Sequence, residues 1–207
     1  MSEFQLPTAS LLAVAMLGGG ALAAQDARLD SAYTRIDDAC STTQLPDEPV
    51  YETVCPGHGA WTLHITSGEH GAAAAYIGPD GTRSETVYAP MRGLYGSFHT
   101  VLEWRLEGGE AFATIHRYVH YNPPELLDTM GGVEEPNTLI VTALAAEGGY
   151  TVCPVAYIDA STLPDANEIA RDVADRLSRG WDCGNEVVRF DVDLESVDAY
   201  LARVRIK

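Results

Sequence analysis

Positive charge is scarce in this sequence: across 207 residues, 13 Lys and Arg stand against 30 Asp and Glu, a formal net charge of −17. Phosphate backbones and anionic lipid surfaces would be repelled over most of such a molecule, which argues against nucleic acid as a partner. Long apolar runs are missing as well. The stretch Leu11–Leu17 falls far short of the roughly 20 residues that a membrane span needs, so no stable span is expected. Closely spaced cysteines are absent: Cys40, Cys55, Cys153 and Cys183 never fall two to four residues apart, as the cysteines of closed zinc sites do. No Gly-x-Ser-x-Gly nucleophile turn and no EF-hand loop occurs, and no low-complexity segment interrupts the chain. No cofactor is read from the sequence.

What is present is ordinary globular composition, 46% hydrophobic and 21% charged, in a chain long enough for one domain with a real core. The first 23 residues read as a leader. After Leu11–Leu17 and three glycines, Ala21-Leu22-Ala23 presents the small-x-small pattern that precedes signal-peptide cleavage, although Ser2–Gln5 holds Glu3 and no basic residue. The expected products are a signal peptide over 1–23 and a single α+β domain over 24–207, placed in the periplasm or outside the cell. An even number of cysteines in an exported chain favours disulfides. Of the three possible connectivities, sequence proximity favours Cys40 with Cys55 and Cys153 with Cys183.

Periodicity then orders the chain. Leu29, Ala32, Tyr33 and Ile36 have helical spacing and predict a short helix over 25–36, and Pro46 and Pro49 predict a loop over 41–50. Trp61, Leu63 and Ile65 alternate with polar residues, and Ala72–Ile77 runs into Gly78-Pro79-Asp80-Gly81; both read as strands. The clearest pattern is a hairpin of 101–106 with 111–121 around Gly108-Gly109. With that pair as the turn, Trp104 faces Ala113 and Leu102 faces Ile115 on an apolar side. Glu103, Arg105, Thr114, His116, Tyr118 and His120 then share a solvated side. A second hairpin joins 138–144 to 150–158. Ala166, Ile169, Ala170, Val173, Ala174 and Leu177 form the apolar stripe of an amphipathic helix over about 165–179, opened by Asp165 and Glu168 and stopped by Gly180. A strand over 188–194 and a helix marked by Val197, Tyr200, Leu201 and Val204 close the chain. The predicted fold is α+β, an antiparallel sheet built from hairpins with the amphipathic helix packed on one face and two disulfides.

Several strings together resemble a family. Ala32-Tyr33-Thr34-Arg35-Ile36-Asp37 before Cys40, Leu102-Glu103-Trp104-Arg105, Ala113-Thr114-Ile115-His116-Arg117, Val155–Ala160, Pro164-Asp165-Ala166-Asn167 and the late Cys183 are similar to a group of uncharacterised exported proteins of Gram-negative bacteria. The resemblance spans most of the mature chain, implies export and carries no catalytic residue to transfer. It also implies that about 185–207, beyond the late cysteine, is an extension.

The sharpest candidate site is the imidazole-bearing face: His99, Glu103, His116 and His120. In the predicted register His99 faces Tyr118 and lies diagonal to both other histidines. His116 and His120 are four strand residues apart, roughly 13 Å, too far to share one ion, so no tight metal site is expected. Asp191, Asp193 and Glu195 alternate along the last strand and read as a wet acidic edge. Arg105 and Arg117 fall on opposite faces, each expected to find a carboxylate. Together these features favour a non-enzymatic binding or interaction module with a protein partner in the envelope. An acidic exported domain could, for example, block a basic enzyme such as a lysozyme by electrostatic complementarity. The competing reading is a hydrolase or metal-dependent enzyme that uses the histidine face.

Overall fold

A computed structural model describes residues 29–37, 39–130, 135–145 and 151–205. The expected leader, residues 25–28 of the expected first helix and the tip of the second hairpin lie outside the described residues. Among the described residues eleven strands form two sheets. The first comprises β1 (Leu29–Arg35), β7 (Tyr95–Glu107), β8 (Glu110–Tyr121), β9 (Asn137–Ala145), β10 (Thr151–Asp159) and β11 (Val188–Phe190), in that spatial order. The second is the meander β2 (Ser41–Gln44), β3 (Tyr51–Pro56), β4 (Thr62–Ser67), β5 (Ala72–Ile77) and β6 (Val87–Tyr88). The described residues also form three helices: α1 (Pro124–Met130), α2 (Ala166–Leu177) and α3 (Val197–Arg205).

The first sheet is buried on both faces. On one side, Ala113, Ile115, Val141, Ala143, Val155 and Ile158 share a core with Ala166, Ala170, Val173 and Ala174 of α2 and with Phe190 and Val197. On the other, Leu102, Trp104, Leu106, Ile140 and Val152 meet Cys55, Trp61, Leu63, Ala74, Tyr76 and Val87 of the second sheet. The layers therefore run sheet, sheet, helices. Both disulfides stand as paired from the sequence, Cys40 to Cys55 and Cys153 to Cys183, and no described cysteine is free.

Several expectations are corrected. Residues 29–35 are strand, not helix, and pair antiparallel with β7 from Leu29 opposite Glu107 to Arg35 opposite Val101. The inward residues are Ala32, Thr34 and Ile36, a period of two hidden because Thr34 is polar and Tyr33, apolar in the pattern, is exposed. Long-range pairing overrides the weak local signal. The expected loop after Cys40 begins with a strand: Ser41–Gln44 is an edge strand on β3, with every residue exposed, which is why no apolar alternation announced it. The sheet is mixed, because β11 pairs parallel to β10 after the crossover through α2, and β11 ends at Phe190 rather than near 194.

The correction with the widest consequence is in the β7–β8 hairpin. Gly108 and Gly109 do form its turn, at φ 61° and 94°, and Leu106 faces Ala111. One residue later the register slips: Arg105 faces Ala113, Trp104 faces Thr114 and Leu102 faces His116, so Phe112 is a bulge. A one-residue slip exchanges faces. Trp104 and Leu102 thus share a face with Thr114, His116 and Tyr118, while Glu103 and Arg105 turn to the side of Ala113, Ile115 and Arg117. A second irregularity sets Phe98, not His99, opposite Tyr118.

Candidate functional site

The predicted histidine face does not exist as one surface. His116 and His120 are 1% and 3% exposed, enclosed in the layer between the sheets rather than solvated. His99 has an exposed side chain and contributes its backbone carbonyl, which lies 2.8 Å from His116 Nε2. A carbonyl only accepts, so Nε2 carries the hydrogen of the neutral ring and Nδ1, buried without a partner, is bare. Burial pushes the His116 pKa down to about 4.

Glu103 lies on the opposite face. It accepts hydrogen bonds from Arg171 Nε at 2.8 Å and Nη2 at 3.0 Å, and from the Ser31 hydroxyl at 2.7 Å. Burial alone would raise its pKa, but these bonds outweigh it and hold the carboxyl below its usual range. Arg105 and Arg117, expected on opposite faces, are on the same one. Arg105 binds Asp175 of α2 in a two-pronged pair at 2.8 and 2.9 Å, and Arg117 reaches Asn167 Oδ1 at 3.2 Å. The acidic run is no strand edge: Asp191 bridges to Leu194 around a tight turn, with its carboxylate accepting the Asp193 N–H at 2.9 Å. Among the described residues no three His, Cys, Asp or Glu side chains are grouped to hold a metal.

The residues that do come together are aromatic. Phe98 stacks on His116 with ring centroids 4.5 Å apart and meets Tyr118 edge-on at 5.0 Å; Tyr118 in turn lies 4.8 Å from His120. This column runs through the inter-sheet layer and ends at a cleft of about 610 Å³. The far wall is the β4–β5 hairpin, with Gly71, Ala72 and Ala73; the near wall is β6 and the segment after it, from Tyr88 to Tyr95; Tyr118 and His120 belong to its lining from β8. The Tyr118 hydroxyl accepts the Ala72 N–H at 3.0 Å and ties the sheets together there.

Glycine makes this packing possible. A Cβ on Gly96 would stand 2.2 Å from Tyr118 Cε1, one on Gly71 2.8 Å from the Tyr118 hydroxyl, and one on Gly93 2.8 Å from His120 Cβ. The rim is apolar and open: Tyr88 is 64% exposed and Met91 95%, with Leu94 beside them. None of the lining residues is Asp, Glu, Lys or Arg, in a chain where one residue in five is charged.

Among the described residues, His120, like His116 and Thr138 beside it, keeps a buried polar atom without a mate. Its Nε2 is enclosed and has no hydrogen-bond partner. Burial, and the nearby positive charge of Arg92, push its pKa down to about 4, so the ring is neutral near pH 7. Arg92 itself is held by Asp159 through contacts of 2.7 Å. Of the four sequence-predicted site residues, His120 alone lines the cleft. A signal for the rest lies in the segment from Tyr88 to Tyr95, in which Tyr88, Met91 and Leu94 fall among Pro90 and Gly93 with no period of two or 3.6 to bury them.

Among the described residues no helix is long and apolar enough to cross a membrane. Comparison of the chain with protein-family models, with curated proteins and with solved structures finds no match.

Proposed function

We propose that this chain is an exported, non-enzymatic binding protein whose ligand enters the uncharged cleft between the two sheets. The observation that carries the reading is the cleft itself: about 610 Å³, inside the span of roughly 300 to 1,000 Å³ typical of small-molecule sites, lined by apolar and aromatic side chains together with Thr66, His70, Thr86 and His120, and by no described Asp, Glu, Lys or Arg. Export is supported by the leader-like N-terminus and the resemblance, and by two disulfides, which persist in oxidising compartments. The enzyme reading needed His99, Glu103, His116 and His120 to converge. His99 points to solvent, Glu103 is engaged by Arg171 beneath α2, and the two imidazoles are enclosed, so that reading loses its motif.

The test uses N-phenyl-1-naphthylamine, a neutral probe that brightens when it leaves water. Saturable enhancement with the purified protein, lost in Leu94→Asp, is expected. No enhancement, or enhancement indifferent to Leu94→Asp, would refute the cleft as the binding site.

A basic envelope protein is the second reading, favoured by a groove of about 390 Å³ between α2 and the start of α3 whose lining includes Asp165, Glu168, Asp172 and Glu195. A complex with a basic enzyme such as a lysozyme, weakened by salt and by Glu168→Lys, would support it; no complex at low salt would dismiss it.

A further inference from the structure

We infer that the cleft takes a neutral sugar of about disaccharide size, laid along the row Thr66, Ala73 and Tyr88 with its C–H face against the Tyr88 ring. The inference rests on the cleft being the binding site, and adds the chemical class of what it holds.

Strand pairing sets the row. Thr66 of β4 stands opposite Ala73 of β5, and Ala73 opposite Tyr88 of β6, so the three share one face of the second sheet across two strand spacings, roughly 10 Å. Ala73 contributes only a methyl, which leaves a trough between the Thr66 hydroxyl and the Tyr88 ring. Val87 is buried on the other face, and its exposed neighbours Thr86 and Tyr88 both line the cleft. The Tyr88 ring is 64% exposed, while its backbone is fixed by the Tyr157 hydroxyl, which donates to the Tyr88 carbonyl at 3.1 Å. It is an open ring on an anchored strand. Nearby, His70 stacks on Tyr95 at 5.7 Å and Tyr95 meets Tyr121 at 6.4 Å, a second aromatic surface whose first two members also line the cleft.

The polar groups a ligand can reach are those of Thr66, His70, Thr86, Tyr88 and Tyr95, all half-buried or exposed, whereas His120 Nε2 is enclosed. They are hydroxyls and an imidazole, groups that both donate and accept. Among the described residues no hydrogen bond within the protein engages these five side chains. A hydrocarbon would strip water from them and return no bond, which costs free energy. An anion is disfavoured by the net charge of −17 and would find no Lys or Arg in the lining, and a cation would find no Asp or Glu there. A neutral sugar meets both requirements. Its hydroxyls donate and accept in turn, and its axial C–H groups, slightly positive, suit the negative face of an aromatic ring. A disaccharide also has the bulk of the drug-sized ligands that a cleft of about 610 Å³ takes.

The purified full-length protein, loaded with N-phenyl-1-naphthylamine at pH 7, is titrated with maltose, cellobiose, lactose and diacetylchitobiose, and amide shifts are followed in parallel. At least one of these sugars should displace the probe with saturation below about 10 mM, moving the amides of Thr66, Ala73 and Tyr88. Tyr88→Ala, a change at an exposed side chain, should weaken that sugar by about tenfold or more, and Tyr88→Phe should keep most of the affinity. Thr66→Val should weaken it by about fivefold. Probe binding that is lost in Leu94→Asp but untouched by all of these sugars would overturn the sugar inference and leave the cleft standing. Sugar binding indifferent to Tyr88→Ala would overturn the placement along the row, and displacement by galacturonate or choline as readily as by the sugar would overturn the neutral class. If neither the probe nor any sugar binds, the cleft reading fails and the inference falls with it.

Discussion

The indole Nε1–H of Trp104 donates to the hydroxyl of Thr34 at 2.9 Å, and the same oxygen lies 3.3 Å from the Pro56 carbonyl. One short chain of bonds thus joins β7, its edge neighbour β1 and the end of β3 in the other sheet. Trp104 is fully buried, with Trp61 at 6.3 Å and Tyr76 edge-on at 6.0 Å, and Gly57 leaves the room: a Cβ there would stand 2.7 Å from the indole Cζ2. Trp104→Ala should cost roughly 3 to 5 kcal/mol, and Thr34→Val, which strands the indole N–H, roughly 1 to 3 kcal/mol. Urea denaturation measures both. Thr34→Val leaving stability unchanged would show that the bond is not made.

The slipped register makes a distinct prediction for the other face. Arg105 sits against Asp175 of α2 with its side chain about one-tenth exposed. Asp175→Ala removes both charge-assisted hydrogen bonds and leaves Arg105 with the Glu103 carboxylate at 3.7 Å, so it should cost about 2 kcal/mol. Had Arg105 been on a solvated face, the same change would fall within about 0.5 kcal/mol. Thermal unfolding of the variant decides between the two.

Acid should unfold this protein in a defined window. His116 and His120 each have a folded pKa of about 4 against an ordinary 6.5, so the folded state resists protons that the unfolded chain accepts. Their contribution to stability is complete above pH 6.5 and is lost progressively as pH falls through about 4. At full protonation the loss is on the order of 3 kcal/mol for each ring. His116→Phe should flatten the stability profile between those limits. An unchanged slope there would mean that the ring is solvated.

The Cys153–Cys183 bridge spans 30 residues of chain, enclosing α2 between β10 and the segment that leads to β11. Loop-closure entropy assigns such a bridge roughly 3 to 4 kcal/mol. Cys153→Ala with Cys183→Ala should lower the unfolding midpoint accordingly, and non-reducing peptide mapping should recover no 40-to-153 or 55-to-183 linked pair.

Legibility followed the strength of local signals. Gly108-Gly109, the stripe from Ala166 to Leu177 and the alternation at Trp61, Leu63 and Ile65 each state their own structure, because turn φ angles and helix and strand periods are local properties. The bulge at Phe112 is not local. A single extra residue in β8 is chosen by what packs on either side, Phe112 lying under the Arg179 guanidinium at 4.8 Å, and nothing in the alternation Ala111, Ala113, Ile115 announces it. Its consequence reached the site: every side chain read as solvated on β8 became an inter-sheet one. The cleft was harder still, since it is made by loops that bring Gly71, Leu94 and His120 together from three parts of the chain.

The central claim is that ligand enters between the sheets, and amide chemical-shift mapping during titration with N-phenyl-1-naphthylamine tests it residue by residue. The account predicts saturable shifts concentrated at Gly71–Ala73, Tyr88–Tyr95 and Tyr118–His120, with α2 and α3 unmoved. Shifts confined to the helical face, or none that saturate, would contradict it.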